Sequence, residues 1–154
     1  MDEPRFELRL AGSGDRALIV ELMSELFDEV APGAPAAESK RFLEEDIARA
    51  LSSPVVRIVL AFRDGLACGV ARVDIGVHSP PFRLRVDHRS GYIDQMFVRP
   101  AFRKQRLGDK LLAACEAWLR SEGVSHCLLH AAPAALKFYS SRGYASTREL
   151  FKKL

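Results

Sequence analysis

The stretch VRPAFRKQRLGDKLL, from Val98 to Leu112, determines the fold prediction for this chain. A strand with β-branched residues leads into it, and an amphipathic helix begins within it at Leu107. Five basic side chains stand in this stretch against one acidic side chain, Asp109; they are Arg99, Arg103, Lys104, Arg106 and Lys110. A helix N-terminus presents unpaired N–H groups and partial positive charge, so the stretch predicts a site for a phosphate-bearing ligand. A solvated basic face is the alternative.

The flanking elements predict a mixed α/β fold. Helices are expected around the apolar stripe from Ile19 to Val30, from about Ala37 to Leu51 with Phe42, Leu43, Ile47 and Leu51 inward, over Leu107–Ser121 and over Pro133–Ser141. Strands are expected at Phe6–Leu10, Val55–Phe62, Leu66–Ile75, Gly91–Val98, Ser125–His130 and Tyr144–Phe151, with an Asp64-Gly65 hairpin between the second and third. A hairpin followed by a β-α-β unit gives a mixed sheet with helices on its faces.

Composition indicates an ordinary globular protein. The 154 residues, 48% hydrophobic and 28% charged, fit a single domain over residues 1–154. A net charge of +3 is too small to indicate nucleic-acid binding. No signal peptide and no membrane helix is expected, and the cytoplasm is the expected compartment. The three cysteines, Cys68, Cys115 and Cys127, are far apart, so they are expected in the core and not in disulfides or a zinc site.

Motifs of several other phosphate-binding and catalytic classes are absent from the sequence. It contains no GxxxxGK(S/T), no GxGxxG after the first strand and no GxSxG. These absences argue against a P-loop NTPase, a dinucleotide-binding domain and a hydrolase of the Ser-His-Asp type. The four histidines, His78, His88, His126 and His130, lack metal-ligand spacing, and no metal is expected.

Two motifs together resemble the GNAT superfamily of acetyl-CoA-dependent N-acetyltransferases. The first is similar to that family's (Q/R)-x-x-G-x-(G/A) signature, with Arg103 at its first position and Gly108 at its last. Arg106 stands where the middle glycine is usual. The second, from Ala135 through Phe138-Tyr139 to Gly143-Tyr144, resembles the family's A-x-x-(F/L)-Y-x-x-x-G-(F/Y), although Ala132 replaces a frequent asparagine. The resemblance covers most of the chain. It implies the GNAT fold, a mostly antiparallel sheet of about six strands flanked by about four helices.

The resemblance also implies site residues. The backbone of Met96, Phe97 and Val98 would hold the pantetheine arm and polarise the thioester. Backbone amides of the loop and helix start would hold the pyrophosphate; these belong to Arg103, Lys104, Gln105, Arg106, Leu107, Gly108 and Asp109. Tyr139 occupies the general-acid position, with a packed aromatic as the alternative.

The general base is expected on the central strand. Successive side chains of a strand face opposite ways, so only one of Asp94 and Gln95 should face the acceptor. Asp94 is predicted to be the general base, acting directly or through water. Its alternative role is a surface salt bridge. His130, Asp74 and His78 are further candidates.

The acceptor side is expected to involve the loop between the first two helices and the stretch His78 to Ser90. Glu25, Asp28 and Glu29 are candidates for attracting a cationic amine, unless they only form the polar face of a helix. Arg83, Arg85 and Arg89 indicate instead an acidic substrate or a CoA phosphate.

The leading hypothesis is an N-acetyltransferase that moves an acetyl group from acetyl-CoA to a primary amine of a small molecule, amino acid or peptide. The first alternative is a non-catalytic acyl-CoA sensor, which the departures at Arg106 and Ala132 favour. The second is a nucleic-acid-binding domain, for which the chain carries no recognised motif. No nucleic-acid or membrane partner is expected, and a homodimer is left open.

Overall fold

The structure, a computed structural model, describes residues 5–33, 36–77, 89–147 and 152–153. Its strands are β1 (Glu7–Leu10), β2 (Val56–Arg63), β3 (Leu66–Val77), β4 (Arg89–Val98) and β5 (Cys127–Leu129). Its helices are α1 (Arg16–Val30), α2 (Ala36–Ser52), α3 (Leu107–Ser121) and α4 (Leu136–Ser140). Short 3₁₀ turns precede α1, follow β4 and precede α4, at Ser13–Asp15, Pro100–Phe102 and Pro133–Ala135.

The strands form one sheet in the order β1-β2-β3-β4-β5. The first three neighbouring pairs are antiparallel and β4–β5 is parallel, which confirms the predicted mixed, mostly antiparallel sheet. The described residues give five strands instead of about six. Of the last predicted strand, residues 144–147 form no strand, and residues 148–151 lie outside the described part. The fifth strand is also shorter than the predicted Ser125–His130, and it is half-buried instead of buried.

The β2–β3 hairpin has the predicted turn. Arg63 pairs with Leu66, so Asp64 and Gly65 are the two turn residues. Their φ angles are 51° and 76°. A two-residue turn with both φ angles positive matches the right-handed twist of the strands, and Asp-Gly is a preferred sequence for it.

Each face of the sheet has its own apolar core. Alternation along β2 sends Ile58 and Leu60 toward α1 and α2, and Val59 and Ala61 toward α3. Helix α3 buries a stripe at helical spacing against the second face; it comprises Leu107, Leu111, Leu112, Cys115 and Leu119. Cys68 and Cys115 are buried as predicted, while Cys127 is half-buried at the core's edge.

Helix α2 corrects one predicted core residue. Leu43 and Ile47 are buried, at 4% and 0% exposure, but Phe42 is 65% exposed. The inward stripe runs through Leu43, Ile47 and Ala50, and a residue one position before it is rotated about 100° around the helix axis. Phe42 therefore points into the groove between α1 and α2.

Strands β4 and β5 separate halfway along β4. Their pairing ends at Ile93 and Leu129. Beyond this point β4 continues to Val98 and pairs only with β3 within the described residues. One edge of residues 94–98 therefore has no strand partner within the described residues, and the chain continues from Val98 through the turn Pro100–Phe102 to the start of α3. Among the described residues, no helix is long and apolar enough to cross a membrane.

Candidate active site

The loop between β4 and α3 has an unusual backbone. Lys104 and Arg106 have φ angles of 60° and 62°, and Arg106 is the N-terminal cap of α3. A left-handed conformation costs a residue with a side chain about 1–2 kcal/mol, and glycine avoids this cost. Arg106 thus adopts a conformation that suits glycine, and its side chain is exposed at the surface.

The start of α3 can receive an anion. The N–H groups of Leu107, Gly108 and Asp109, in the first turn, have no acceptor within the helix. In the described structure no side chain caps them either. Lys104 and Lys110 are exposed close to this end of the helix. Free N–H groups, the helix dipole and nearby cations together favour a phosphate-bearing ligand here.

Two of the five basic residues of the Val98–Leu112 stretch pair with glutamates of α1. Arg99 bonds to Glu25, with Nη2 and Oε1 2.6 Å apart, and also to Glu21. Arg103 pairs with Glu29 at 2.6 Å and donates from Nε to the carbonyl of Val98 at 2.9 Å. These contacts join α1 to the β4–α3 loop. They also neutralise Glu25 and Glu29, two of the acidic residues expected to attract a cationic amine.

Gln105 fixes the loop from inside. Its Oε1 accepts a hydrogen bond of 2.8 Å from Arg63 Nη1, and its Nε2 donates to the carbonyl of Ala101 at 3.2 Å. The side chain of Gln105 is therefore committed to the loop itself. Only its backbone remains available to a ligand.

The two sequence motifs contact each other. A Cβ built on Gly108 would lie 3.2 Å from two ring atoms of Phe138, so the glycine allows α4 to pack against the start of α3. Arg142 forms an ion pair with Asp109 that lowers the pKa of the Asp109 carboxyl. The same guanidinium lies 3.7 Å from the Phe138 ring centroid and donates to the Phe138 carbonyl at 2.7 Å.

Tyr139 lies next to this junction. It is 8% exposed and packs edge-on against the rings of Phe138 and Tyr144, with centroids 5.1 and 5.6 Å away. Burial raises the pKa of its phenol to about 12, so the hydroxyl keeps its proton at neutral pH. Tyr139 also lines a cavity of about 1040 Å³ beside β5, where Tyr144 donates to Glu116 Oε1 at 2.9 Å.

Asp94 lies at a β-bulge. Arg72 pairs with Gln95 and Val73 pairs with Ile93, so Asp94 is an extra residue without a partner on β3. The bulge overrides the alternation expected at this point. Asp94 approaches Arg72, which bonds to Asp46 of α2, while Gln95 lines a cavity of about 1400 Å³ between α1 and α2. Both side chains therefore lie toward α1 and α2.

The surroundings of Asp94 are acidic. Arg72, which is 8% exposed, is hydrogen-bonded to Asp74 through both carboxylate oxygens, at 2.9 and 3.0 Å, and also to Asp46. Asp94 Oδ2 is 3.8 Å from Arg72 Nε, and its side chain is 36% exposed. Burial raises the pKa of Asp94, Arg72 lowers it, and Asp74 and Asp46 raise it further.

The other predicted candidates are placed elsewhere. His130 is exposed, and its Nδ1 is hydrogen-bonded to the Tyr92 hydroxyl. Arg89 donates to the carbonyl of Glu122, at the C-terminal end of α3 and away from the helix start. His78, Arg83 and Arg85 lie outside the described residues.

Arg72 and Asp46 were not among the residues predicted from the sequence. A signal was present for Arg72, because an arginine inside the apolar run of β3 lies on the same strand face as Asp74, two residues later. Asp46 gave no comparable signal, since it lies on a helix rich in exposed charges. Among the described residues, no group of three or more His, Cys, Asp or Glu side chains is arranged to hold a metal ion.

Comparisons with known proteins identify the class. The model of the acetyltransferase (GNAT) family matches residues 19–144. A protein of Bacillus subtilis (strain 168), named as a candidate acetyltransferase, is 28% identical over 93 residues, which span 60% of this chain and 56% of that protein. The chain belongs to the GNAT acetyltransferase family.

Solved structures share the same fold over nearly the whole chain. A Clostridium acetobutylicum protein described as a predicted acetyltransferase, solved with acetyl-CoA, has a TM-score of 0.87 at 17% identity, covering 97% of this chain and 96% of that one. An aminoglycoside N-acetyltransferase in complex with CoA has a TM-score of 0.78 at 19% identity, with 97% and 94% coverage. At these identities the likeness establishes the fold.

Proposed function

We propose that the chain, as one domain over residues 1–154, transfers an acetyl group from acetyl-CoA to a primary amine. The observation that carries this proposal is the edge of β4 left unpaired beyond Ile93, followed along the chain by the uncapped start of α3. Membership of the GNAT family supports the reaction class. The relatives described with acetyl-CoA and with CoA support the donor.

The residues present suit this donor. Met96, Phe97 and Val98 pair with β3 along one edge, which leaves their other edge for an extended pantetheine arm. An N–H of this edge would also stabilise the oxyanion that forms when the thioester carbonyl is attacked. The backbone amides from Arg103 to Asp109 would hold the pyrophosphate, and the exposed Lys104, Arg106 and Lys110 would add charge.

Tyr139 is the proposed general acid. The contact between Phe138 and Gly108 holds α4 against the start of α3, so the next residue lies at the same junction. Its pKa of about 12 keeps the phenol protonated, ready to donate to the departing thiolate. The same burial would raise the proton affinity of a thiolate bound beside it, which favours the transfer.

Asp94 is the proposed general base. An amine of ordinary pKa ~10.4 arrives as an ammonium ion at neutral pH, so a proton must leave before nitrogen can attack. The Asp94 side chain is 36% exposed, so a substrate can reach it, and its raised pKa makes it a better proton acceptor than an ordinary aspartate. It borders the α1–α2 side, where Gln95 lines the larger cavity and where the acceptor is proposed to bind.

The acceptor is proposed to be a small-molecule, amino-acid or peptide amine. The aminoglycoside acetyltransferase among the structural relatives supports a small molecule. The Gln95 Oε1 atom, buried and without a hydrogen-bond partner among the described residues, could accept a hydrogen bond from such a substrate.

A non-catalytic acyl-CoA sensor is the second candidate, and Arg106 at the glycine position of the signature favours it. One experiment separates the two. The purified protein is incubated with acetyl-CoA and a library of primary amines, and free CoA is measured. An acetyltransferase releases CoA with at least one amine. A sensor binds acetyl-CoA, as a raised melting temperature shows, and releases no CoA above the amine-free control.

A further inference from the structure

The cluster of Asp46, Arg72 and Asp74 holds more acidic groups than its one arginine can pair. A single buried guanidinium faces three carboxylates, because Asp94 approaches it as well. Burying charge costs free energy unless each charge is paired, and here the acidic groups outnumber the base. The cluster borders the proposed acceptor cavity, since Asp46 and Gln95 both line that cavity.

The hydrogen bonds of Arg72 are distributed unequally. Nε and Nη2 donate to the two oxygens of Asp74, and Nη1 donates to Asp46. Asp94 Oδ2 stays at 3.8 Å from Nε, outside the ~2.7–3.2 Å range of a hydrogen bond. Arg72 is therefore engaged by two carboxylates and cannot fully neutralise the third.

We propose that Asp46 and Asp74 are positioning residues that engage Arg72, so that Asp94 stays incompletely paired as the acceptor of the amine's proton. This inference rests on the proposed function. In the step, one N–H bond of the ammonium group breaks, its proton forms an O–H bond with Asp94, and the electron pair stays on nitrogen. The positive charge of the ammonium and the negative charge of Asp94 both disappear, so the step balances.

The charged groups that act on the Asp94 carboxyl come from a strand and a helix. Strand β3 supplies Arg72 and Asp74. Helix α2 supplies Asp46, whose second oxygen lies 3.7 Å from Arg49, and the neighbouring amide of Gln95 completes the surroundings. Replacing Asp46 by asparagine removes a like charge and also releases part of Arg72 toward Asp94. Both changes favour the carboxylate, so they act in the same direction on the Asp94 pKa.

The test uses three variants of the full chain. Asp46→Asn removes the charge and Asp46→Glu restores it. Glu45→Gln is the matched control, because Glu45 is an exposed residue of the same helix, pairs with Arg41 and lies outside the cavity lining. The Asp94 carboxyl is titrated by carbon-13 NMR, and kcat/KM is measured against pH with one amine. Because the same amine is used with every variant, the pKa of the substrate contributes equally to each pH profile. Asp74→Asn serves in the same way if Asp46→Asn does not fold.

We expect Asp46→Asn to move the Asp94 titration and the acid limb of kcat/KM to lower pH. Asp46→Glu should return both toward wild type, and Glu45→Gln should leave both in place. A purely structural cluster would lower the melting temperature without moving either titration, and this result would overturn the proposal. If the wild type transfers no acetyl group, the proposed function fails, while the NMR titration still decides whether the network sets the Asp94 pKa.

Discussion

Replacing Gly91 by alanine tests the packing that places α3 on the sheet. A Cβ built on Gly91 would lie 2.3 Å from Leu119 Cδ1 and 2.7 Å from Cδ2. Ordinary carbon–carbon contacts are ~3.5–4.0 Å, so the strand and the helix must separate or Leu119 must leave its rotamer. Overpacking of this kind costs ~1–3 kcal/mol of unfolding free energy. For a chain of this length the melting temperature should fall by ~2–12 °C.

The assay is equilibrium urea unfolding of a double-mutant cycle. Leu119→Ala alone should cost ~2–5 kcal/mol, because Leu119 is 3% exposed and leaves a cavity. In the Leu119→Ala background the added Cβ of Gly91→Ala finds room, so its cost should fall by at least ~1 kcal/mol. The reasoning is refuted if Gly91→Ala costs the same in both backgrounds, or less than ~0.5 kcal/mol in the wild type.

Three further predictions concern single side chains. Tyr139→Phe should lower kcat by ~10²–10⁴, because it removes the proposed general acid, while the affinity for acetyl-CoA, measured by calorimetry, stays nearly unchanged. An unaltered kcat would show that Tyr139 only packs in the core. Arg106→Gly should be more stable to urea than Arg106→Ala by about 1 kcal/mol, because only glycine relaxes at a φ of 62°, and equal stabilities would contradict the left-handed assignment. Arg9 and the Gly12 N–H lower the pKa of Asp15 to about 2, so the stabilisation that ionised Asp15 gives the fold should be lost as the pH falls from ~4 toward 2. The difference in unfolding free energy between wild type and Asp15→Asn, about 1 kcal/mol at neutral pH, should therefore disappear over this pH range. A difference that does not change with pH would contradict the ion pair.

Local sequence patterns were sufficient for much of the fold. Helix α3 begins at Leu107 and ends at Ser121 as predicted, because its apolar stripe at helical spacing is uninterrupted. The Asp64-Gly65 turn was predictable from chemistry, since both residues tolerate positive φ. The antiparallel sheet followed from the hairpin, and the parallel β4–β5 pair followed from the intervening helix.

The failed predictions depended on long-range contacts. The bulge at Asp94 is a property of the β3–β4 register, which periodicity along one strand does not reveal. The ion pairs of Arg99 and Arg103 were also not visible in the sequence, because their partners are glutamates of α1 that lie 74 or more positions earlier. Phe42 was wrongly predicted to be buried, because an apolar residue next to an apolar stripe cannot be separated from that stripe by sequence alone. In the structure it lines the cavity between α1 and α2 and is exposed.

The contact between Gly108 and Phe138 shows why two motifs far apart in sequence occur together. The glycine at the start of α3 and the aromatic residue on α4 form one junction, with Asp109 and Arg142 beside it. Tyr139 follows Phe138 directly and belongs to the same apolar core as the buried residues of α3. The junction therefore links the proposed phosphate site to the proposed acid.

Release of CoA from acetyl-CoA in the presence of primary amines decides whether the chain is an acetyltransferase. We expect the wild type to release CoA only when an amine is present, and mass spectrometry should detect the acetylated amine in a matching amount. In Tyr139→Phe the release should be strongly reduced, because the proposed general acid is missing. Acetyl-CoA at 100 times its Kd should also stabilise the fold by ~2.7 kcal/mol. A clear rise in melting temperature with acetyl-CoA, but no release of CoA with any amine of the library, would contradict the assignment as an enzyme.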